Sequence, residues 1–286
     1  MLDDQWFTEI FGSQGSAFSL QVKRKVHEEQ TPYQRIDIYE TTHFGYLMVI
    51  DNCVMLSSRE NFFYHEMLAH PVMFTHVNPK NVLIIGGGDC GTLQEVLRHE
   101  SVQKAWQVEI DERVTRLSEQ YFPELCKANG DHRASLLFAD GIRWIAEAAA
   151  DSLDVIIVDS TDPVGPAEGL FGEPFYQDCF RALRKGGIFV QQSESPLYHM
   201  QIINDMRTSL KNVGFSESLT LNFPQCVYPS GWWSATMAGK GTSLTNIREQ
   251  DIVDRPFETR YYNLGIHHAA MARPEFMLRA MDHAAK

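Results

Sequence analysis

The sequence predicts an α/β fold: a Rossmann-like, doubly wound sheet preceded by a small N-terminal antiparallel β domain. Three observations predict it. Beyond residue 76 come uninterrupted Val/Ile-rich runs, each followed by a helical segment, as a parallel sheet covered on both faces requires. The first run leads into a glycine-rich turn. Before residue 76 apolar and polar residues alternate, the mark of half-buried antiparallel strands.

In order along the chain, FSLQV, YQRIDIYE and YLMVID read as strands, with Gly45 and Asp51-Asn52 as turn residues between them. From Arg59 to about Phe74 the period lengthens and Phe62, Phe63, Glu66, Met67 and His70 suit a helix, which Pro71 is expected to loosen. Then NVLIIG, AWQVEI, SLLFAD, LDVIIVD and GIFVQQ are strands, and TLQEVLRH, DERVTRLSEQYF, GIRWIAEAAA and EPFYQDCFRALR are the helices between them. Residues 1–75 form the β domain with its linking helix, and residues 76–286 the Rossmann-like catalytic domain.

Composition narrows the function. The 286 residues carry 25 Lys+Arg against 37 Asp+Glu, a net charge of −12. Nucleic-acid and anionic-membrane binders need clustered cations, so both classes are excluded. No apolar run approaches the roughly 18–20 residues of a membrane span. Cys53, Cys90, Cys126, Cys179 and Cys226 are widely spaced without a C-x-x-C, which fits reduced thiols better than disulfides or zinc. The opening MLDDQWFTEIFG lacks the basic and apolar regions of a signal peptide, so a cytoplasmic protein is expected. His267-His268 lacks metal-ligand spacing, and no metal site is predicted.

Gly86-Gly87-Gly88-Asp89-Cys90-Gly91 satisfies G-x-G-x-x-G, and Glu109 ends the next strand 20 residues after Asp89, placed to accept both hydroxyls of a ribose. The Asp89 carboxylate would repel a dinucleotide pyrophosphate at this helix start but suit an adenosyl sulfonium, the favoured reading; a helix cap only is the plainer alternative. Asp140-Gly141 offers a second carboxylate at the same sheet edge, either for an adenine amino group or as a cap. Asp159-Ser160-Thr161-Asp162 brings two more acids to that edge, in a loop stiffened by Pro163 and Pro166. Such a loop is able to hold an amine and take its proton; a turn with capping Asp residues is the plainer alternative. Trp6, Tyr64-His65, Tyr228 and Trp232-Trp233 are candidate walls for a polymethylene chain, or simply core.

Together these blocks resemble the spermidine synthases, the polyamine aminopropyltransferases. The likeness runs through YHEM at Tyr64–Met67, LIIGGGD at Leu83–Asp89, VEID at Val108–Asp111, ADG at Ala139–Gly141, DSTDPVGPAEGLF at Asp159–Phe171, YPSG at Tyr228–Gly231 and RYYN at Arg260–Asn263. The resemblance implies a sheet of the S-adenosylmethionine methyltransferase type, a cytoplasmic homodimer or homotetramer, and transfer of an aminopropyl group from decarboxylated S-adenosylmethionine to putrescine. The donor is then a co-substrate and no cofactor is needed. It also implies Asp159 as general base, Asp162 as a second amine-holding acid, and Tyr64 with His65 as orienting groups. Asp89 would grip the donor's ammonium, Gln34 and Glu109 its nucleoside, Asp140 and Gly141 the adenine, and Pro166 and Leu170 the adenine's apolar wall. Ser160 and Thr161 belong to the same substrate loop; Trp6, Gln192, Tyr228 and Trp233 match the acceptor tunnel. The chain departs from the family at Met55, where glutamine is usual, at Ser58 and Asn61, where acids are usual, and at Cys90, where glycine is usual. Those departures leave room for cadaverine, agmatine or spermidine as acceptor. An amine N-methyltransferase or a non-catalytic binder are the alternatives from other classes.

Overall fold

The computed structural model describes residues 3–162 and 165–284; for residues 165, 166 and 282–284 it describes the backbone alone. Strands β1 (Trp6–Phe11), β2 (Ser16–Gln30), β3 (Arg35–Thr41), β4 (Tyr46–Ile50) and β5 (Cys53–Ser57) form one antiparallel sheet in that order. Asp51 and Asn52, at φ 48° and 68°, make the tight turn that pairs Ile50 with Cys53. Strands β1 and β5 escape the alternation pattern, which marks β2 only as far as Val22. β1 is an edge strand, and most of the 15-residue β2 is polar, because its Lys23–Gln30 half is only partly covered.

Helix α1 (Phe62–Thr75) follows, buried from Tyr64 to Thr75. Pro71 does not loosen it. The helix runs through the proline because packing on every side offsets the lost N–H bond, a cost of about 3 kcal/mol. This helix packs on the second sheet, against β9, β10 and β11, whose ranges follow.

Beyond it alternate β6 (Asn81–Gly86), α2 (Gly91–Leu97), β7 (Lys104–Glu109), α3 (Glu112–Tyr121), β8 (Ala134–Phe138), α4 (Gly141–Glu147), β9 (Leu153–Asp159), α5 (Glu173–Ala182) and β10 (Leu183–Gln192). The chain continues through α6 (Met200–Val213), β11 (Glu217–Pro224), β12 (Trp232–Gly239), α7 (Glu249–Val253), α8 (Leu264–Met271) and α9 (Glu275–Ala284). The seven strands lie in the order β11-β12-β10-β9-β6-β7-β8, parallel from β10 to β8, with β12 antiparallel to both neighbours. The fold class is the expected Rossmann-like sheet behind an antiparallel one; the β11–β12 ribbon at its edge was not anticipated.

One face of the large sheet packs α1 and α2 through Met67, Leu68, Leu93 and Val96; the other packs Phe175, Tyr176 and Met206 of α5 and α6. A third cluster joins the two sheets: Ile36, Ile38, Met48 and Leu56 meet Val114 and Leu117 of α3. The small sheet thereby stands over the carboxyl ends of β6, β7 and β9, where the strand order reverses and open α/β sheets bind ligands.

Candidate active site

The site is organised by the contact between the ends of β6 and β9. Gly86 is register partner to Asp159, and a Cβ there would lie 2.2 Å from the Asp159 carbonyl oxygen, at φ +82°. Only glycine permits this approach. Asp159 thus leaves the sheet with its carboxylate beside the glycine-rich turn. The Tyr64 hydroxyl donates to its Oδ1 at 2.8 Å and the Thr92 hydroxyl to its Oδ2 at 2.6 Å. Burial, then the charge of Asp89, pushes the Asp159 carboxyl up to about 6. Burial and the Asp159 carboxylate push the Tyr64 phenol well above its usual range, so it remains a donor.

Asp89 sits between the start of α2 and the cavity. Its Oδ1 accepts from the N–H of Gly91, the first residue of α2, at 2.7 Å, and Asp89 lines the cavity. Its Oδ2 lies 3.1 Å from His65 Nε2. Burial opposes charge on each partner, yet their mutual attraction wins: the His65 imidazole rises to about 9 and the Asp89 carboxyl falls below its ordinary value. Gly91 makes the pair possible, since a Cβ there would sit 2.2 Å from the His65 ring.

Glu109, at the end of β7, accepts from the Asp111 N–H at 2.8 Å, and burial raises its carboxyl to about 7. Gln34 lines the same space from the small sheet, its Nε2 donating to Asp111 Oδ2 at 3.0 Å. Asp140 caps α4 by accepting from the Ile142 N–H at 2.8 Å and also lines the cavity, with Gly141 and Leu170 nearby. The cavity measures about 340 Å³, within the usual range for a small-molecule site. Ser160, Thr161, Asp162 and Tyr228 line its far side.

A side chamber of about 40 Å³ adjoins it, sharing Tyr64, Thr161 and Asp162, and is lined further by Gln192, Trp233 and Glu9. Burial, then Glu194, raises the Asp162 carboxyl to about 8; burial raises Glu9 to about 7. The Tyr64, Tyr228 and Trp233 rings stack edge to face, 5.9 and 4.9 Å between successive centroids, forming an apolar wall.

Four expected residues do not line the large cavity, and the side chain of a fifth lies outside the described residues. Trp6 enters neither cavity: alternation along β1 turns Glu9 inward and Trp6 to the opposite face, where it is 37% exposed. His65 lines neither cavity and acts through Asp89. Gln192 and Trp233 reach only the side chamber. The side chain of Pro166 lies outside the described residues. Sequence reasoning missed Thr92, Glu9 and Glu194. Glu9 had a readable signal, an acid at an inward position of WFTEIF; Thr92 had none beyond following the last glycine of the turn.

Comparison with known proteins bears on this geometry. Residues 61–248 match the family model of the spermine/spermidine synthase domain, and residues 5–58 that of the spermidine synthase tetramerisation domain. A polyamine aminopropyltransferase of Thioalkalivibrio sulfidiphilus is 63% identical over 98% of this chain and 99% of its own. One of Methylococcus capsulatus is 62% identical over 96% and 97%. A spermidine synthase solved in complex with the transition state analogue AdoDATO superposes with a TM-score of 0.94 at 35% identity, covering 99% of this chain and 96% of its own. The spermidine synthase of Thermotoga maritima gives 0.92 at 35% identity, over 97% and 94%. The chain belongs to the spermidine synthase family and is an enzyme of the polyamine aminopropyltransferase type.

Proposed function

We propose that the enzyme transfers the aminopropyl group of decarboxylated S-adenosylmethionine to putrescine, giving spermidine and methylthioadenosine. The observation that carries this reading is Asp159, a partly buried carboxylate on the large cavity held by two hydroxyls, one of them from Tyr64, which borders both that cavity and the side chamber. The donor's nucleoside lies between Gln34, Glu109 and Asp140, with Asp89 facing its ammonium. The acceptor runs past Tyr228 toward Asp162 and Glu9, whose carboxylates take its far ammonium.

An amine with a pKa near 10 is about three units from its reactive form at pH 7, some 4 kcal/mol. Asp159 takes the proton, the apolar wall disfavours the charged amine, and the freed nitrogen attacks the methylene beside sulfur in line with the departing thioether. The sulfonium supplies its own leaving group, and the reaction so written draws on no cofactor or metal. Support for a homodimer or homotetramer comes from the match to the tetramerisation model over the small sheet, and for a cytoplasmic setting from five unpaired cysteines.

The test offers the purified enzyme decarboxylated and intact S-adenosylmethionine with putrescine, cadaverine, agmatine and spermidine, and identifies the nucleoside formed. Methylthioadenosine with putrescine as best acceptor is expected. S-adenosylhomocysteine would establish methyl transfer instead, and preference for another amine would reassign the acceptor.

A further inference from the structure

Further along α1 than Tyr64 and His65, His70 touches no part of the site, yet both nitrogens of its ring are engaged. It is fully buried, and neither it nor its partners line either cavity. Its Nε2 lies 3.0 Å from Glu95 Oε2, on α2, and its Nδ1 lies 3.0 Å from His99 Nε2, in the turn that follows α2. Glu95 and His99 are buried as well. The rings of Phe74, Phe257 and Tyr262 pack around His70 at centroid distances of 6.3, 5.2 and 5.2 Å.

A carboxylate only accepts, so His70 Nε2 donates to Glu95. Burial opposes charge on Glu95, yet His70 and the Arg98 guanidinium, 3.1 Å away, hold its carboxyl below the ordinary value. Burial, then His70 and Arg248, drives the His99 imidazole well below its usual range. His99 therefore stays neutral, and one proton lies between the two rings. Both partners of His70 belong to α2 and the turn that ends it, about one helical turn apart, so a slide of α2 along its axis breaks one bond or the other. The apolar packing around Met67, Leu68, Leu93 and Val96 is non-directional and sets no such register.

The start of α1 carries Tyr64 and the start of α2 carries Thr92, and their hydroxyls hold the two oxygens of Asp159. We propose that His70 is a positioning residue for the transfer reaction: it fixes α2 against α1, so that the Thr92 and Tyr64 hydroxyls reach one carboxylate together. The inference rests on the reading of Asp159 as general base.

Steady-state kinetics of the full-length enzyme between about pH 5 and pH 9 test it, with His70→Phe, Thr92→Val and the double variant. His70→Phe keeps a buried ring and loses both hydrogen bonds. Its acid limb should move up by about one unit from the parent position near 6, a roughly fivefold loss of kcat at pH 6, with donor KM within about threefold. The titratable groups facing Asp159, which are Asp89, His65 and Tyr64, are retained in every variant. Because both substitutions act through one contact, the double variant should be no slower than Thr92→Val alone. His70→Gln keeps a donor for Glu95 and loses the bond to His99. It should show a smaller shift of the same limb, again absent beside Thr92→Val, and it carries the test where His70→Phe does not fold. An unmoved limb, or losses that add in the double variant, overturns the positioning role and leaves His70 to the fold. Asp159→Asn separates the two readings: parent-like turnover there removes the base assignment and this inference with it, whereas an inactive Asp159→Asn with additive His70 and Thr92 losses removes the positioning role alone.

Discussion

Replacing Asp159 by Asn separates what this carboxylate does for catalysis from what it costs the fold. The amide occupies the same volume and still offers Oδ1 to one of the two hydroxyls, Tyr64 or Thr92, that hold the acid. Losing a general base costs about 10²–10⁴ in rate, roughly 3–5 kcal/mol, which brackets the 4 kcal/mol needed to deprotonate the amine. Stability moves the other way. The native carboxyl is raised from 3.8 to about 6, so the folded state binds the proton more tightly than the unfolded one. Folding stability therefore falls as pH rises from about 4 to about 6, by roughly 3 kcal/mol, and remains lower above that. Asn removes this penalty. Methylthioadenosine release at pH 8 should drop by at least 100-fold while donor affinity by calorimetry stays within a few-fold. The melting temperature at pH 8 should rise on the order of 5 °C. Parent-like turnover would refute the base assignment, and a lower melting temperature would refute the energetic argument.

Thr92→Val removes the donor to Asp159 Oδ2 without changing volume, so the acid limb of the pH–rate profile, near 6 in the parent, should move up by about one unit. Rates recover at pH 9 and Thr92→Ser restores the profile; an unmoved limb counts against it. Gly91→Ala drives a methyl into the His65 ring and parts it from Asp89, so the donor KM should rise about tenfold with a smaller change in kcat, measured by steady-state kinetics. Glu66 accepts the backbone N–H groups of Arg260, Tyr261 and Tyr262 at 2.8–2.9 Å, tying α1 to the RYYN segment; Glu66→Ala should lose about 3 kcal/mol in urea unfolding. Acceptor binding should release protons at pH 7, because a cation beside Asp162 and Glu9, raised to about 8 and 7, ionises them. Calorimetry in buffers of differing ionisation enthalpy reads this directly, and heats independent of buffer would contradict it.

The parallel strands were legible because burial on both faces leaves Val/Ile runs unbroken, as in VIIV before Asp159. The acids at their ends were legible for the same reason: the last residue of a buried strand has nowhere to go but the crevice. What periodicity does not carry is partnership. Nothing in the one-dimensional pattern sets Thr92 against Asp159, 67 positions away, or Glu66 against the chain at residues 260–262. Trp6, expected at a tunnel wall, lies on the other face of β1 from Glu9, three residues on, because aromatic character says nothing of strand parity. Pro71 misled because a local rule met a helix buried all round.

Six carboxylates line the large cavity and Glu9 adds one in the side chamber; they would repel one another severely if all were ionised and alone. The structure deals with them differently, and the differences track position. Asp89 is neutralised by His65, so the donor end of the site presents a polar pair rather than a naked charge. Asp159 is held by two hydroxyls at a value where it is ionised at neutral pH yet still basic enough to accept a proton. Asp162, Glu9 and Glu109 are raised chiefly by burial, Asp162 also by Glu194, so they hold their protons more readily than ordinary carboxylates until positive charge arrives. A site built this way carries less negative charge when empty than its number of acids suggests and becomes more anionic as a cation enters. The net charge of −12 is therefore a poor guide to the cavity: the acids that matter there are those whose charge is conditional on the ligand.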